Sequence, residues 1–111
     1  MAKDLSVSVL MDFYGELLTP KQQEALDSYY NQDLSLAEIA SEMEVSRQGV
    51  RNFIKTGEQH LMDFEDKLNL AEKFITINKI ADKMAEAIKN LPDGEIKSEL
   101  LADIDEIKGQ L

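Results

Sequence analysis

The stretch LSLAEIASEMEVSRQGVRNFI, residues 34–54, contains two helix-start signals and decides the fold of this chain. The first signal is Ser35 followed three residues later by Glu38, which together form a capping box. A capping box satisfies two backbone N–H groups that would otherwise lack partners at a helix start. It therefore predicts a short helix from residue 36 to about residue 43.

The second signal is Ser46, which can cap another helix beginning at Arg47. Only Glu44 and Val45 separate the end of the first helix from this cap, which is too short a gap for a linker. Two helices joined by such a tight turn are typical of the helix-turn-helix motif, whose second helix enters the major groove of DNA by its N-terminal residues. The sequence therefore predicts this motif.

Small and apolar residues recur in the stretch with helical spacing and are predicted to form its core. Those expected at the contact between the two helices are Ala37, Ile39 and Ala40 on the first, Val45 in the turn, and Val50 and Ile54 on the second. The remaining residues at the start of the second helix are polar or basic. The candidate DNA-binding residues are Ser46, Arg47, Gln48, Arg51, Asn52 and Lys55. Such side chains can bond guanine, adenine or phosphate.

Before the motif, Thr19, Pro20 and Gln22 predict a helix that starts at Pro20 and ends near Tyr30. An N-terminal helix is expected from about residue 5 to residue 18. The segments LSVSVL and FITINKI are rich in β-branched residues, but both are interpreted as helical because neither is flanked by turn signals.

After the motif, apolar residues continue with helical spacing through three stripes. The stripes are Val50, Ile54, Gly57, Leu61, Phe64 and Leu68; Phe74, Ile77, Ala81, Met84, Ile88 and Leu91; and Ile96, Leu100, Ile104, Ile107 and Leu111. Pro92 and Gly94 separate the last two. The stripes either cover one another within one chain or pair between two chains, with Leu61, Phe64 and Leu68 contributing to a dimer.

The composition describes a small acidic protein of 111 residues with 43% apolar residues, no cysteine and a formal charge of -10. This length allows one domain, or one domain with an appendage. We expect a helix-turn-helix domain over residues 1–60 and an acidic helical extension over residues 61–111. The absence of cysteine, of a long apolar run and of a signal-peptide pattern predicts a cytoplasmic protein that does not span a membrane.

Several features that could indicate chemistry have simpler interpretations. His60 has no cysteine partner and is expected to face water, as are acids such as Asp63, Glu65 and Asp66. We see neither a nucleophile motif nor a phosphate-binding glycine loop, so we expect no enzyme activity, no metal and no cofactor. Tyr29 and Tyr30 are expected to close the core at a helix end rather than to stack on bases.

From residue 12 to about residue 68, including DFYGELLTPKQ and VSRQGV, the chain resembles the YlxM family of small bacterial helix-turn-helix proteins, itself similar to region 4 of sigma factors. The resemblance implies an all-α regulatory protein linked to the signal recognition particle pathway. One residue departs from the usual motif, because Glu44 occupies a turn position where glycine is common and φ is often positive.

The charge distribution leaves two functions open. The segment 46–57 holds three basic residues and no acid, whereas residues 61–111 hold 12 acids and seven lysines. Three cations per chain correspond to a log-log salt slope of only about -2.7, so DNA binding is expected for a dimer or with a partner. The alternative is a non-enzymatic adaptor that binds protein or RNA of the signal recognition particle pathway and not duplex DNA.

Overall fold

The computed structural model describes residues 6–111, which form six α-helices and no strand. The helices are α1 (Val7–Tyr14), α2 (Pro20–Leu26), α3 (Leu36–Met43), α4 (Arg47–Leu68), α5 (Leu70–Lys89) and α6 (Glu95–Gly109). A 3-10 turn (Gly15–Leu17) follows α1, and a π-helical turn (Asp27–Asn31) extends α2. The predicted all-α fold is confirmed, including both β-branched segments, although residue 5 lies outside the described part.

The chain divides into two compact units, one ending at Glu72 and the other running from Lys73 to Leu111. The large apolar core lies in the first unit, where Leu10, Tyr14, Leu26, Ile39, Val50 and Leu61 are all at most 2% exposed. Helix α5 contributes its first three residues to the first unit and the rest to the second. A functional boundary after residue 60 stays a prediction.

The helix-turn-helix motif is built by α3 and α4, as the sequence predicted. Ile39 and Ala40 of α3, and Val50 and Ile54 of α4, are buried in one core. Ala37, which was predicted at the same contact, is exposed instead, because it lies on the other side of α3. The motif core is therefore held by one face of each helix, and the opposite face of each remains accessible.

The predicted caps are all present. Thr19 and Gln22 form a capping box at the start of α2, and Ser35 and Glu38 form another at the start of α3. The Ser46 hydroxyl accepts a hydrogen bond from the Gly49 N–H at 3.0 Å. Each cap pairs N–H groups that the helix itself cannot satisfy, so the three starts are fixed by local sequence.

The turn between α3 and α4 depends on a residue in the left-handed region. Glu44 has φ 58° and ψ 43°, and its N–H donates to the Ala40 carbonyl. The turn is therefore formed without the glycine that usually occupies this position, at the cost of an unfavourable backbone conformation.

Gly57 brings α2 close to α4. A Cβ at this position would lie 2.7 Å from Cδ1 of Leu26, whose side chain is fully buried. Further along the same stripe, Leu61 is fully buried whereas Leu68 is 46% exposed. Most of this predicted seam is thus internal core, and Leu61 is unavailable for the dimer contact that the sequence suggested.

Among residues 6–111, the most deeply buried charged group is Glu65, at 1% exposure. Its Oε1 accepts from the Tyr14 hydroxyl at 2.5 Å and from the Ala71 N–H at 3.0 Å, while Oε2 accepts from the Glu72 N–H at 3.0 Å. The Tyr14 hydroxyl in turn accepts from the Leu70 N–H at 3.0 Å. Glu65 therefore caps the start of α5 and joins it to α1, so the prediction that this acid faces water was wrong.

The second unit is an antiparallel hairpin made by the rest of α5 and by α6. Lys108 Nζ contacts the Asp82 carboxylate, and Lys97 Nζ donates to the Lys89 carbonyl at 3.2 Å. Ala81 and Ile104 are its buried apolar residues. Two helices alone enclose little apolar surface, so this unit has only a small core.

We expect Glu65→Ala to lower the free energy of unfolding by roughly 2–4 kcal/mol, because it leaves several buried donors without an acceptor. Tyr14→Phe should cost about 1–3 kcal/mol, since the ring stays but one donor to Glu65 is lost. Urea unfolding followed by circular dichroism measures both. Asp66→Ala is the matched control, because this neighbouring carboxylate is exposed and its loss should change stability by under about 0.5 kcal/mol. Equal effects at residues 65 and 66 would contradict the buried cap.

We expect Glu44→Gly to raise the free energy of unfolding by about 0.5–1 kcal/mol, because glycine adopts the left-handed conformation without steric cost. Glu42→Gly is the control, since residue 42 lies inside α3 and glycine there should destabilise the protein by about 1 kcal/mol. Thermal and urea unfolding measure the difference. A loss of stability in Glu44→Gly would show that the Glu44 side chain contributes more than its backbone strain removes.

Candidate nucleic-acid interface

The candidate site is the first two turns of α4, positioned by the Ser46 cap and by the turn at Glu44. The buried side chains Val50 and Ile54 fix the rotation of this helix about its axis. Residues at the intervening positions must then point away from the core. The packing that closes the motif core thus also determines on which side of α4 the candidate side chains lie.

The structure exposes every candidate DNA-binding residue. The exposed residues are Ser46, Arg47, Gln48, Arg51, Asn52 and Lys55. Arg47, Arg51 and Lys55 follow one another at intervals of four, which places their charges along one stripe of the helix. Within residues 6–111, none of these three cations forms an ion pair with a carboxylate. The stripe is therefore available to an anionic partner.

A groove of about 510 Å³ runs along this stripe between α3 and α4. It is lined by Ser35, Leu36, Ala37, Arg47, Gln48 and Arg51. The nearby Glu38 carboxylate is held by the Ser35 N–H at 3.0 Å, and this hydrogen bond and that with the Ser35 hydroxyl lower the pKa of Glu38. This acid therefore serves the start of α3.

A second groove, of about 420 Å³, adjoins the first and shares Leu36, Gln48 and Arg51 with it, and we call it the tyrosine cleft. Its lining residues are Tyr29, Tyr30, Leu36, Gln48, Arg51, Asn52, Ile54, Lys55 and Glu58. The two tyrosines are 40% and 39% exposed, so the prediction that they close the core was wrong. Four of the six predicted site residues line this cleft, which sequence reasoning did not anticipate.

The position of Tyr30 in the cleft is fixed by a hydrogen bond. Its hydroxyl donates to Oε2 of Glu58 at 2.5 Å. Partial burial and this hydrogen bond raise the pKa of Tyr30 well above its ordinary value, so the hydroxyl remains a donor. The Tyr29 ring stands nearly perpendicular to the Tyr30 ring, with centroids 5.0 Å apart. Two adjacent tyrosines were visible in the sequence, but nothing in the sequence signalled the π-helical turn in which they lie.

The other candidates raised by the sequence are not assembled into sites. His60 is exposed, as predicted. Over the described residues, no three histidine or acidic side chains are grouped so that they could hold a metal ion. In that same part of the chain, no helix is both long enough and apolar enough to cross a bilayer.

Comparison with known proteins shows that this chain has relatives that match it along its whole length. Residues 1–102 match the family UPF0122, described as "Putative helix-turn-helix protein, YlxM / p13 like". A UPF0122 protein of Clostridium novyi is 39% identical over 111 residues, covering 100% of this chain and 96% of the relative. One from Halalkalibacterium halodurans is 40% identical over 106 residues, covering 96% and 97% respectively.

A UPF0122 protein of Clostridium kluyveri is 55% identical over 73 residues, covering 66% of this chain and 66% of the relative. The matches agree with the helix-turn-helix geometry of α3 and α4 and with the resemblance carried by the motif residues. This chain belongs to the UPF0122 family of YlxM/p13-like helix-turn-helix proteins.

Proposed function

We propose that this protein is a regulatory protein that binds duplex DNA through the start of α4. The observation that carries the proposal is the exposure of all six candidate residues on one side of a capped helix, whose cations form no ion pair with any carboxylate of residues 6–111. A helix-turn-helix motif reads DNA with these N-terminal positions of its second helix. Covering of Arg47 or Arg51 by another part of the chain would have excluded this function.

Each residue type has a defined role in this proposal. Arg47 and Arg51 bind guanine edges or phosphates, and Lys55 binds phosphate. Gln48 and Asn52 carry amides that can pair with the edge of adenine in the major groove. Ser46 fixes the helix start through its bond to Gly49 and so determines where the other five side chains are presented. These roles require no bond making and no cofactor.

Three cations give one chain weak affinity for DNA, so we further propose that it acts as a homodimer. Large apolar side chains are exposed on both helices of the hairpin formed by the second unit. They are Ile77, Ile80, Met84 and Leu91 in and after α5, and Ile96, Leu100, Ile107 and Leu111 in and after α6. A set of this kind is typical of an interface rather than of a free surface.

The exposed apolar residues form a seam on each helix, beside the residues that are buried or half-buried in the hairpin. In α5, Ile77, Ile80 and Met84 each precede by one position a residue that is buried or half-buried. In α6, Ile96, Leu100 and Ile107 have the same relation to residues 97, 101 and 108. Each helix therefore closes the hairpin with one side and carries an apolar seam beside that side. Such a helix is suited to a four-helix bundle, in which each helix contacts two others.

Charge favours a second copy of the same hairpin as the occupant of this seam. Residues 73–89 of α5 hold four lysines and two acids, whereas residues 95–109 of α6 hold five acids and two lysines. A two-fold axis that sets α5 of one copy against α6 of its partner brings opposite charges together. Dimer formation doubles the number of cations that reach DNA and so doubles the salt slope.

The alternative function is an adaptor that binds protein or RNA of the signal recognition particle pathway. This alternative comes from the family resemblance. Unlike the DNA-binding function, it does not require that the start of α4 reach duplex DNA. The acidic helix α6 would suit a basic partner. Under either function we expect the protein in the cytoplasm.

To test DNA binding, we expect Arg47→Ala and Arg51→Ala to leave stability within about 0.5 kcal/mol of wild type, because both side chains are exposed. Retention of genomic DNA fragments at low salt should fall for both variants. Where the arginine meets phosphate, each substitution should reduce the log-log salt slope by about 0.9 per chain, which is about 1.8 for the proposed dimer; where it meets guanine, the substitution should relax base preference. Fragment retention and filter binding across a salt series measure these effects.

The matched control is Lys73→Ala, which removes one positive charge from α5, outside the motif. This variant should bind fragments as wild type does. Equal and negligible retention of wild type and both arginine variants at about 50 mM salt would refute duplex binding. Association of the same protein with the protein or RNA of the signal recognition particle would then support the adaptor function.

To test the dimer, we expect sedimentation at micromolar concentration to give about twice the chain mass of 12.6 kDa. Ile80→Glu and Met84→Glu place a carboxylate in the apolar seam and should give monomers. Ala102→Glu adds the same charge at an exposed position on the far side of α6 from Ile96, Leu100 and Ile107 and should remain dimeric. A wild-type protein that sediments as a monomer would refute this part of the proposal.

A further inference from the structure

The tyrosine cleft has features that binding to the major groove of a regular duplex does not use. Its volume of about 420 Å³ falls in the range of about 300–1,000 Å³ that is usual for small-ligand pockets. Tyr29 and Tyr30 lie in a π-helical turn, a conformation that often marks functional sites. Both rings are partly exposed beside two cations of the candidate interface, Arg51 and Lys55.

Aromatic rings beside cations are the chemistry by which proteins bind unpaired nucleotides. A base stacks on the ring, and the adjoining phosphate binds the cation. Because the Glu58 carboxylate accepts from the Tyr30 hydroxyl, that ring is held in place without using Arg51 or Lys55. A preorganised ring loses less freedom when a base stacks on it.

The arrangement of charge within the cleft gives a bound nucleotide one orientation. Arg51 and Lys55 line the cleft and attract phosphate, whereas Glu58 repels it. The amides of Gln48 and Asn52 line the same cleft and offer both donors and acceptors to the edge of a base. The phosphate is therefore expected towards the cations, with the base towards the tyrosines.

Paired bases cannot use this platform, because both of their faces are covered by neighbouring base pairs. An unpaired nucleotide beside a duplex leaves one face free. We propose that the tyrosine cleft binds one unpaired nucleotide adjoining duplex DNA, with its base against Tyr29 and Tyr30 and its phosphate bound by Arg51 and Lys55. This inference rests on the proposed function and names the DNA structure that the site prefers.

The test compares a blunt duplex with the same duplex carrying a short single-stranded extension, by fluorescence anisotropy of a labelled DNA. We expect the extended duplex to bind roughly 5- to 150-fold more tightly, the range reported by alanine substitution for one stacked base. Tyrosine emission gives a second readout. The protein has three tyrosines and no tryptophan, and Tyr14 is buried, so quenching by the extension reports on Tyr29 and Tyr30.

Single substitutions distinguish the contribution of base stacking to DNA affinity from the contribution of positive charge. Tyr29→Leu and Tyr30→Leu should abolish the preference for the extension while leaving blunt-duplex affinity within about two-fold of wild type. Tyr30→Phe retains the ring and should retain most of the preference. Arg47→Ala is the matched control, because Arg47 lines the other groove and its loss should weaken binding to both DNAs by the same factor. Circular dichroism shows that each variant is folded.

Equal affinity of wild type for the two DNAs would overturn the inference and leave the proposed function intact. A preference that survives in folded Tyr29→Leu and Tyr30→Leu proteins would also overturn it, because the extension would then be bound elsewhere. Failure to bind either DNA would overturn the inference together with the proposed function. Loss of preference in both leucine variants, with blunt-duplex binding unchanged, would support it.

Discussion

The buried carboxylate of Glu65 is the constraint on which the first unit depends. An ionisable group at 1% exposure is unfavourable unless its oxygens are hydrogen bonded. Here the Tyr14 hydroxyl and two backbone N–H groups at the start of α5 supply those bonds. The end of α4, the start of α5 and α1 are thus joined at one point. With α1 held in this way, the core that fixes the rotation of α4 is closed, and the start of α4 projects its polar residues outward.

The two ends of α4 therefore have different roles, one in stability and one in the exposed face. Near its C-terminus the helix carries the buried anchor, and at its N-terminus it carries the exposed cations. Ser46 ends the turn and begins the helix, so only Val45 and Ser46 lie between the strained Glu44 backbone and Arg47 at the start of the exposed face. The buried Glu65 and the exposed face at residues 46–55 lie several helical turns apart. Substitutions on that face are therefore expected to leave the stability of the core nearly unchanged. This separation predicts that the exposed face can be altered without loss of the fold.

Sequence reasoning predicted the helices, the three caps and the exposed face, because each depends on local residue type and spacing. It did not predict Glu65 or the tyrosine cleft. Glu65 stands in the run Asp63, Glu65, Asp66, where its neighbours do face water, and its burial depends on Tyr14, 51 residues earlier in the chain. Tyr29 and Tyr30 were placed in the core because a regular helix end was assumed. Both tyrosines instead lie in a π-helical turn, and no residue pattern in this segment signals such a turn.

The net negative charge of the chain affects how selectively the basic face could bind DNA. A formal charge of -10 repels a phosphate backbone at long range, while segment 46–57 attracts it only at short range. Orientations that present any other face to DNA are then unfavourable, so binding depends on the correct approach of one small surface. Such a protein has little of the sequence-independent affinity that basic proteins show for any duplex. In the proposed function, two features add to the few ionic contacts of one chain: a second chain that doubles them, and a cleft whose rings gain energy from a stacked base rather than from charge.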